Sequence, residues 1–322
     1  ICASYAPVME SFSIDEVFLD MTGTGQIYPD PVTTACEIKD RIYRELGFTV
    51  NVGISTNKLL AKMASDFEKP NKVHTLYPEE VPQKMWPLPV RDLLFLGKAS
   101  EKKLVQNGIR TIGDLARANE KEIQMLLGEK TGHQLYLSAN GIDDSPVKAQ
   151  REEAKGISVE TTFDEDIVSY EQIFPILLSQ CDIVAARMRR EGKKCNCVAV
   201  SFRTLEFKNK SHQRKLDNPT DVTNEIYQNV RQLFQESWSG QPLRLIGVAL
   251  TGLTEDSFIQ MSLFEDPKKR EQQKKLDEAM DNIRKKFGND KISRASTMNV
   301  SGRIARKAKA QMENGRKKKD EQ

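Results

Sequence analysis

Glu10-Ser-Phe-Ser-Ile-Asp-Glu-Val-Phe-Leu-Asp20 is the stretch whose reading decides this chain. Phe12, Ile14, Val17, Phe18 and Leu19 are aromatic or bulky, and Thr22-Gly-Thr-Gly25 follows as a turn, so the pattern predicts one strand ending near Asp20. Asp15 and Glu16 stand side by side within it. Burying two unpaired carboxylates is costly unless a cation offsets their charge. One reading is therefore a divalent metal held by both acids, with substrate phosphates completing its ligands, as Mg2+ commonly binds. The other is an exposed edge strand whose acids face water. Regular alternation sends the two side chains to opposite faces, so shared ligation requires a twist, a bulge or a reach around an edge.

Outward from that run the elements are regular. Asp30-Pro31 supplies a helix cap and a first-turn proline, Ala35, Ile38, Ile42, Tyr43 and Leu46 recur at helical spacing, and Gly47 closes the helix. Phe48–Ile54 alternates as a strand. Ser55-Thr56-Asn57 caps a second helix with Leu59, Leu60, Met63, Ala64 and Phe67 on its core side and Lys58, Lys62 and Lys69 elsewhere. A strand running into a capped helix is a possible anion site, and a solvated lysine face is the alternative. From Pro89 the composition turns helical, with helices over Ser100–Asn107, Ile112–Ala118, Lys121–Leu127 and Thr131–Ala139. Asp143–Gly156 is polar and lacks apolar periodicity, as a tether would. Beyond it the order is strand Ile157–Phe163, helix Tyr170–Arg190, strands Cys197–Thr204 and Glu206–Leu216, helix Val222–Trp238 and strand Leu243–Leu250. A charged helix over Pro267–Gly288 and a basic stretch from Ser301 follow.

The 322 residues imply two or three domains. Net charge is only +3, yet residues 187–215 carry ten Lys or Arg against Glu191 and Glu206, so the positive charge is local. Five cysteines make no disulfide framework, and Cys195-Asn-Cys197 has no partner pair to complete a zinc site, which favours a reduced, cytoplasmic protein. No apolar run reaches the roughly 18 residues needed to span a bilayer.

Ser13-Ile14-Asp15-Glu16 with the following Val-Phe-Leu-Asp resembles the signature strand of the Y-family DNA polymerases, the translesion enzymes. The similarity continues through Val52-Gly-Ile-Ser-Thr-Asn-Lys-Leu-Leu-Ala-Lys-Met-Ala-Ser-Asp66 and Lys69-Pro70-Asn71 and covers nearly the whole chain. It implies an α+β multidomain fold: a partial palm over 1–88, mainly an antiparallel sheet with helices; a helical thumb over 89–142; a linker over 143–156; a β-α-β-β-α-β little finger over 157–256; and a terminal segment over 257–322. The family has a further segment upstream, with the first palm strand, another metal-binding Asp and the fingers, so the chain is expected to be a polymerase without its N-terminal third or quarter.

The resemblance also assigns roles. Asp15 and Glu16 would be catalytic and hold metal, two Mg2+ ions in the complete enzyme, and Lys69 would meet the triphosphate of the incoming dNTP. Leu96-Gly97-Lys98-Ala99 resembles the turn of a helix-hairpin-helix, whose amides touch a DNA phosphate. The usual pattern has two glycines; here Phe95 occupies the first position and only Gly97 remains, with Lys98 beside it. Arg203, Lys208, Lys210, Arg214 and Lys215 would touch primer–template DNA along the little-finger sheet, or else blunt an edge strand. Gln260-Met-Ser-Leu-Phe264 resembles a sliding-clamp docking motif, Gln260 entering a polar subsite and Leu263 and Phe264 an apolar pocket. The expectation is a monomeric, cytoplasmic polymerase without membrane contact. A non-catalytic DNA- and clamp-binding remnant is the first alternative and a helix-hairpin-helix nuclease the second.

Overall fold

The computed structural model describes residues 1–149, 153–255, 267–289 and 291–297. They form two compact units, Ile1–Glu152 and Glu153–Gln322.

The deciding stretch is a hairpin rather than one strand. β1 (Val8–Ser11) and β2 (Val17–Asp20) pair antiparallel with Ser11 opposite Val17, and the intervening residues turn the chain. Local bonds explain why the strand breaks. The Phe12 and Ser13 amides donate to the Glu16 carbonyl at 2.9 and 3.2 Å, and the Ser13 hydroxyl donates to Asp15 at 2.7 Å. Such short-range bonds compete with a ladder, and Ser and Asp are the residues that make them.

α1 (Pro31–Leu46) begins as the sequence predicts, with the Asp30 carboxylate accepting from the Thr33 amide and Gly47 at φ +77 ending it. Ala35, Ile38 and Ile42 are buried, whereas Tyr43 and Leu46 are exposed. Beside the antiparallel β1–β2 pair, β3 (Val52–Ile54) runs parallel to β4 (Val73–Thr75). Between them lies α2 (Lys58–Asp66), capped by Asn57. Gly53 is required here: a Cβ would stand 1.9 Å from the Ala61 carbonyl oxygen, so strand and helix could not come this close otherwise. A short helix α3 (Val81–Lys84) leads into α4 (Lys98–Gln106), α5 (Ile112–Arg117), α6 (Glu120–Leu127) and α7 (Glu129–Ala139). Leu59, Leu60 and Met63 of α2 share one core with Leu93, Leu104, Ile112, Leu115, Ile123 and Leu135. Each fully buried leucine contributes roughly 1.5–3 kcal/mol. The stretch read as a tether is pinned at its start. Asp143 accepts from the Leu59 amide, and the Lys148 amide donates to Glu10.

The second unit follows the expected strand and helix order. β5 (Gly156–Ile167), α8 (Tyr170–Arg190), β6 (Lys194–Thr204), β7 (Asn209–Thr220), α9 (Thr223–Ser237) and β8 (Leu243–Thr254) form an antiparallel sheet in the order β5-β8-β6-β7. α8 and α9 cover one face through Ile173, Leu177, Val184, Ile226, Val230 and Phe234, packed on Val198, Val200, Phe202 and Val248. α10 (Pro267–Phe287) docks on this helical layer through ion pairs. The opposite face of the sheet is left uncovered by these helices.

Candidate active site and DNA-facing surfaces

The hairpin turn resolves the alternation problem posed by adjacent carboxylates, because Asp15 and Glu16 lie where the chain reverses, outside any regular strand. Asp15 and Ile14 are exposed there and Glu16 is half-buried. Each carboxylate is oriented through one oxygen. Asp15 Oδ1 accepts from Ser13 Oγ, and Glu16 Oε1 accepts from Lys62 Nζ at 2.7 Å. Neither Asp15 Oδ2 nor Glu16 Oε2 has a hydrogen bond recorded among the described residues.

α2 holds this hairpin by two rungs one turn apart. Lys58 Nζ donates to both oxygens of Glu10 at 2.8 Å, and Lys62 Nζ bridges Glu16 and Asp66, the latter also at 2.8 Å. Asp66 in turn pairs with the exposed Lys69 at 2.8 Å. A chain of alternating charge thus runs from Glu16 through Lys62 and Asp66 to Lys69. Burial works against the charge on Lys62, but its bonds to Asp66 and Glu16 outweigh it and hold the pKa above the ordinary value. For Asp66 burial pushes the pKa up, and Lys62 and Lys69 pull it down further, leaving it lowered. Glu10 is lowered in the same way, Lys58 overcoming burial. For Lys58 and Lys62 this is neither of the two roles the sequence offers, an anion site or a solvated face. The signal that finds them is their four-residue spacing, continued at Asp66, opposite a segment with Glu10 and Glu16.

Two adjacent carboxylates, each with an oxygen to spare, are hard donors suited to a divalent cation. No group of three or more His, Cys, Asp or Glu able to hold an ion occurs among the described residues. The pair therefore fits a metal as part of a ligand set that phosphate oxygens help to complete.

Gly97 caps α4 without a side-chain bond to the helix start, and Lys98 is exposed beside it. Phe95 adopts φ +66, the conformation that the absent glycine would take. Its ring lies 6.2 Å from that of Phe12 in the carboxylate turn.

The structure divides the five basic residues predicted on the little-finger sheet. Phe202 and Val198 face the helices, and their cross-strand partners are Lys210 and Arg214, so these two share the helical side. Arg214 is bonded there to Glu236 of α9 at 2.5 Å. Arg203 and Lys215 lie opposite Asn209 and Cys197 on the uncovered face, with Ala199 and Ser201 between them. Arg203 Nε donates to Asn209 at 2.6 Å. Lys208 sits in the turn between the strands. The predicted clamp residues Gln260, Leu263 and Phe264 lie outside the described residues, as does the basic stretch from Ser301. No helix among the described residues is long and apolar enough to cross a membrane.

Comparison with known proteins bears on most of the chain. Residues 1–66 match the impB/mucB/samB family, residues 154–263 the impB/mucB/samB family C-terminal domain, and residues 91–143 the DNA polymerase-iota thumb domain. DNA polymerase IV of Clostridium acetobutylicum is 43% identical over 291 residues, covering 90% of this chain and 73% of that protein. DNA polymerase IV of Pelotomaculum thermopropionicum is 36% identical over 304 residues, 94% of this chain and 75% of that protein. DNA polymerase IV 2 of Bacillus subtilis is 36% identical over 316 residues, 96% and 76%. Among solved structures, a Y-family DNA polymerase chimera superposes with a TM-score of 0.68 at 22% identity, covering 79% of this chain and 73% of its own.

Proposed function

The chain belongs to the Y-family DNA polymerases, the impB/mucB/samB family, and on that premise we propose that the Asp15–Glu16 turn is its catalytic centre. The protein is a DNA-directed DNA polymerase, a nucleotidyltransferase of translesion synthesis that uses primer–template DNA and nucleotides and depends on a divalent metal. The observation that carries the site is the hairpin turn itself, which presents two adjacent carboxylates away from any ladder while α2 fixes its flanks.

In this reading Asp15 and Glu16 hold the metal through their spare oxygens. The ion is Mg2+, present as a pair in the working enzyme, and when bound it lowers the pKa of the primer hydroxyl and offsets triphosphate charge. Lys62 orients Glu16 through Oε1, so the carboxylate needs no rearrangement on binding. Lys69, extended from Asp66, meets the triphosphate. Gly97 and Lys98 take a backbone phosphate and fix the register of the strand without reading its sequence. Arg203 and Lys215 meet phosphates along the uncovered sheet face, and Lys208 stands at its end. The palm is assigned to 1–88, the thumb to 89–142, the linker to 143–156 and the little finger to 157–256. Gln260, Leu263 and Phe264 dock on the sliding clamp of a monomeric, cytoplasmic enzyme.

Asp15→Asn and Glu16→Gln are each expected to lower Mg2+-dependent single-nucleotide primer extension about 100-fold or more, while primer–template affinity without metal stays constant. Mn2+ binding, followed by water-proton relaxation, should weaken in both variants. Wild-type extension and wild-type Mn2+ affinity in both would move the centre elsewhere.

A further inference from the structure

Phe95 runs against what the fold alone would choose in both backbone and side chain. Its φ of +66 is strained for a bulky residue and costs glycine nothing. Its side chain is 76% exposed, so burial returns little for that strain. Gly97 shows the reverse. Its φ of −83 is ordinary, and a Cβ built there meets nothing within 4 Å. The chain therefore holds a phenylalanine where the backbone asks for glycine, and a glycine where the fold asks for none. Strain retained at a surface turn points toward function. An uncalled-for glycine beside open space leaves room for another molecule's close approach.

The neighbours say which molecule. The Phe95 ring stands 6.2 Å from Phe12, edge to face, and Phe12 stands 5.2 Å from Phe18. Phe12 belongs to the turn that carries Asp15 and Glu16. An exposed cation at Lys98, two exposed rings and a carboxylate pair thus follow one another within a single unit. A nucleic-acid strand offers the matching series: an anionic phosphate, an apolar sugar or base face, and a terminal hydroxyl.

We propose that Phe95 is a positioning residue for the primer. The last nucleotides lie across the Phe95 and Phe12 rings while a flanking phosphate rests at Gly97 and Lys98, which directs the 3′-hydroxyl toward Asp15 and Glu16. This deepens the polymerase reading and rests on it.

The test uses primer–template DNA with 2-aminopurine at the primer 3′ end, titrated with the wild-type chain, Phe95→Gly and Phe95→Trp. Glycine relieves the positive φ, so Phe95→Gly should melt at or above the wild-type temperature. Its Kd should rise about 5- to 10-fold, the scale of one lost aromatic contact to a nucleotide. The fluorescence change at the primer end should disappear, and in extension assays kcat should fall as well as kcat/KM. Phe95→Trp should restore both signals. Unchanged affinity and unchanged 3′-end fluorescence in Phe95→Gly would overturn the proposal. So would a lowered melting temperature with equal losses in both variants, since that assigns the ring to structure. If the wild-type chain binds no primer–template at all, the polymerase reading fails, and the proposal with it.

Discussion

Asp277 offers the sharpest test of how the second unit is held together. Only 2% of its side chain is exposed, and it serves three groups. Its Oδ1 accepts from Arg294 at 2.5 Å, and its Oδ2 accepts from the Thr223 amide at 2.8 Å and, more weakly, from Arg189 at 3.5 Å. The Thr223 bond matters because α9 has no side-chain cap of its own at Val222, so a residue of α10 does the capping. Asp277→Ala removes a cap, about 1 kcal/mol, and at least one buried charge-assisted bond, about 1.5–3 kcal/mol. Arg189 retains Asp281 at 2.7 Å and the Asp221 carbonyl, and Arg294 retains a longer contact to Asp182, so the arginines are not wholly stranded. The expected loss is therefore about 3–4 kcal/mol, at the low end for breaking a buried pair. Asp277→Asn keeps an acceptor for Thr223 and should lose about half as much. In calorimetry of the full chain this corresponds to a fall of about 6–15 °C in one transition for Asp277→Ala, with the other unmoved. A shift under 1 °C, or equal shifts in both transitions, would refute the assignment of Asp277 as the latch between α10, α8 and α9.

Two other outcomes follow from the charge placement. Arg203→Ala and Lys215→Ala should each weaken duplex binding and reduce the slope of log affinity against log salt by about 0.9, whereas Arg214→Ala, already committed to Glu236, should change that slope little; equal effects at all three, measured by anisotropy, would place the DNA elsewhere. The attachment of the hairpin to α2 should be level across mid-range pH and loosen at both ends. Glu10 and Asp66 have lowered pKa values, so their contribution is full above their ordinary 4.5 and 3.8 and is lost as pH falls through the lower folded values; Lys62 is raised, so its contribution is full below its ordinary 10.5 and is lost as pH rises through the higher folded value. Hydrogen exchange of β1 and β2 amides against pH, corrected for intrinsic rates, checks this, and a Lys62→Met chain should lose the alkaline limb.

Much of the fold was legible because its signals are local. Tyr170–Arg190 is one helix in sequence and in space because its apolar spacing is unbroken, and the β-α-β-β-α-β order read from the sequence is the order of elements in the second unit. The proposed site rests on residue identity, and its shape was not legible. Phe12, Ile14, Val17 and Phe18 have strand propensity throughout, and propensity cannot register that a Ser13–Asp15 bond will turn the chain between them. Facing was hidden for a similar reason. Which face of β7 carries Lys210 and Arg214 and which carries Lys215 is set by its register on β6, because β7 is polar on both faces and a one-residue slip would invert them. The roles of Lys58 and Lys62 depend on which helix face meets the hairpin, a tertiary fact.

The hairpin also explains how two like charges can sit next to each other at the centre proposed above. Adjacent carboxylates repel, and in a strand they would point apart, useless as a pair. The turn brings them to one end of the hairpin, and the repulsion is answered from outside: Lys62 takes one oxygen of Glu16 and Ser13 one oxygen of Asp15. Each acid is then fixed by half of its capacity, with the other half left toward solvent. Had Lys62 engaged both oxygens, as Lys58 does with Glu10, a cation would have to break that pair before binding. The two rungs of α2 therefore do different work. The Glu10 rung is closed and holds the hairpin down, and the Glu16 rung engages one carboxylate oxygen only. The centre proposed above would contribute mostly by positioning and would need both, since the first fixes where the turn lies and the second fixes how Glu16 faces.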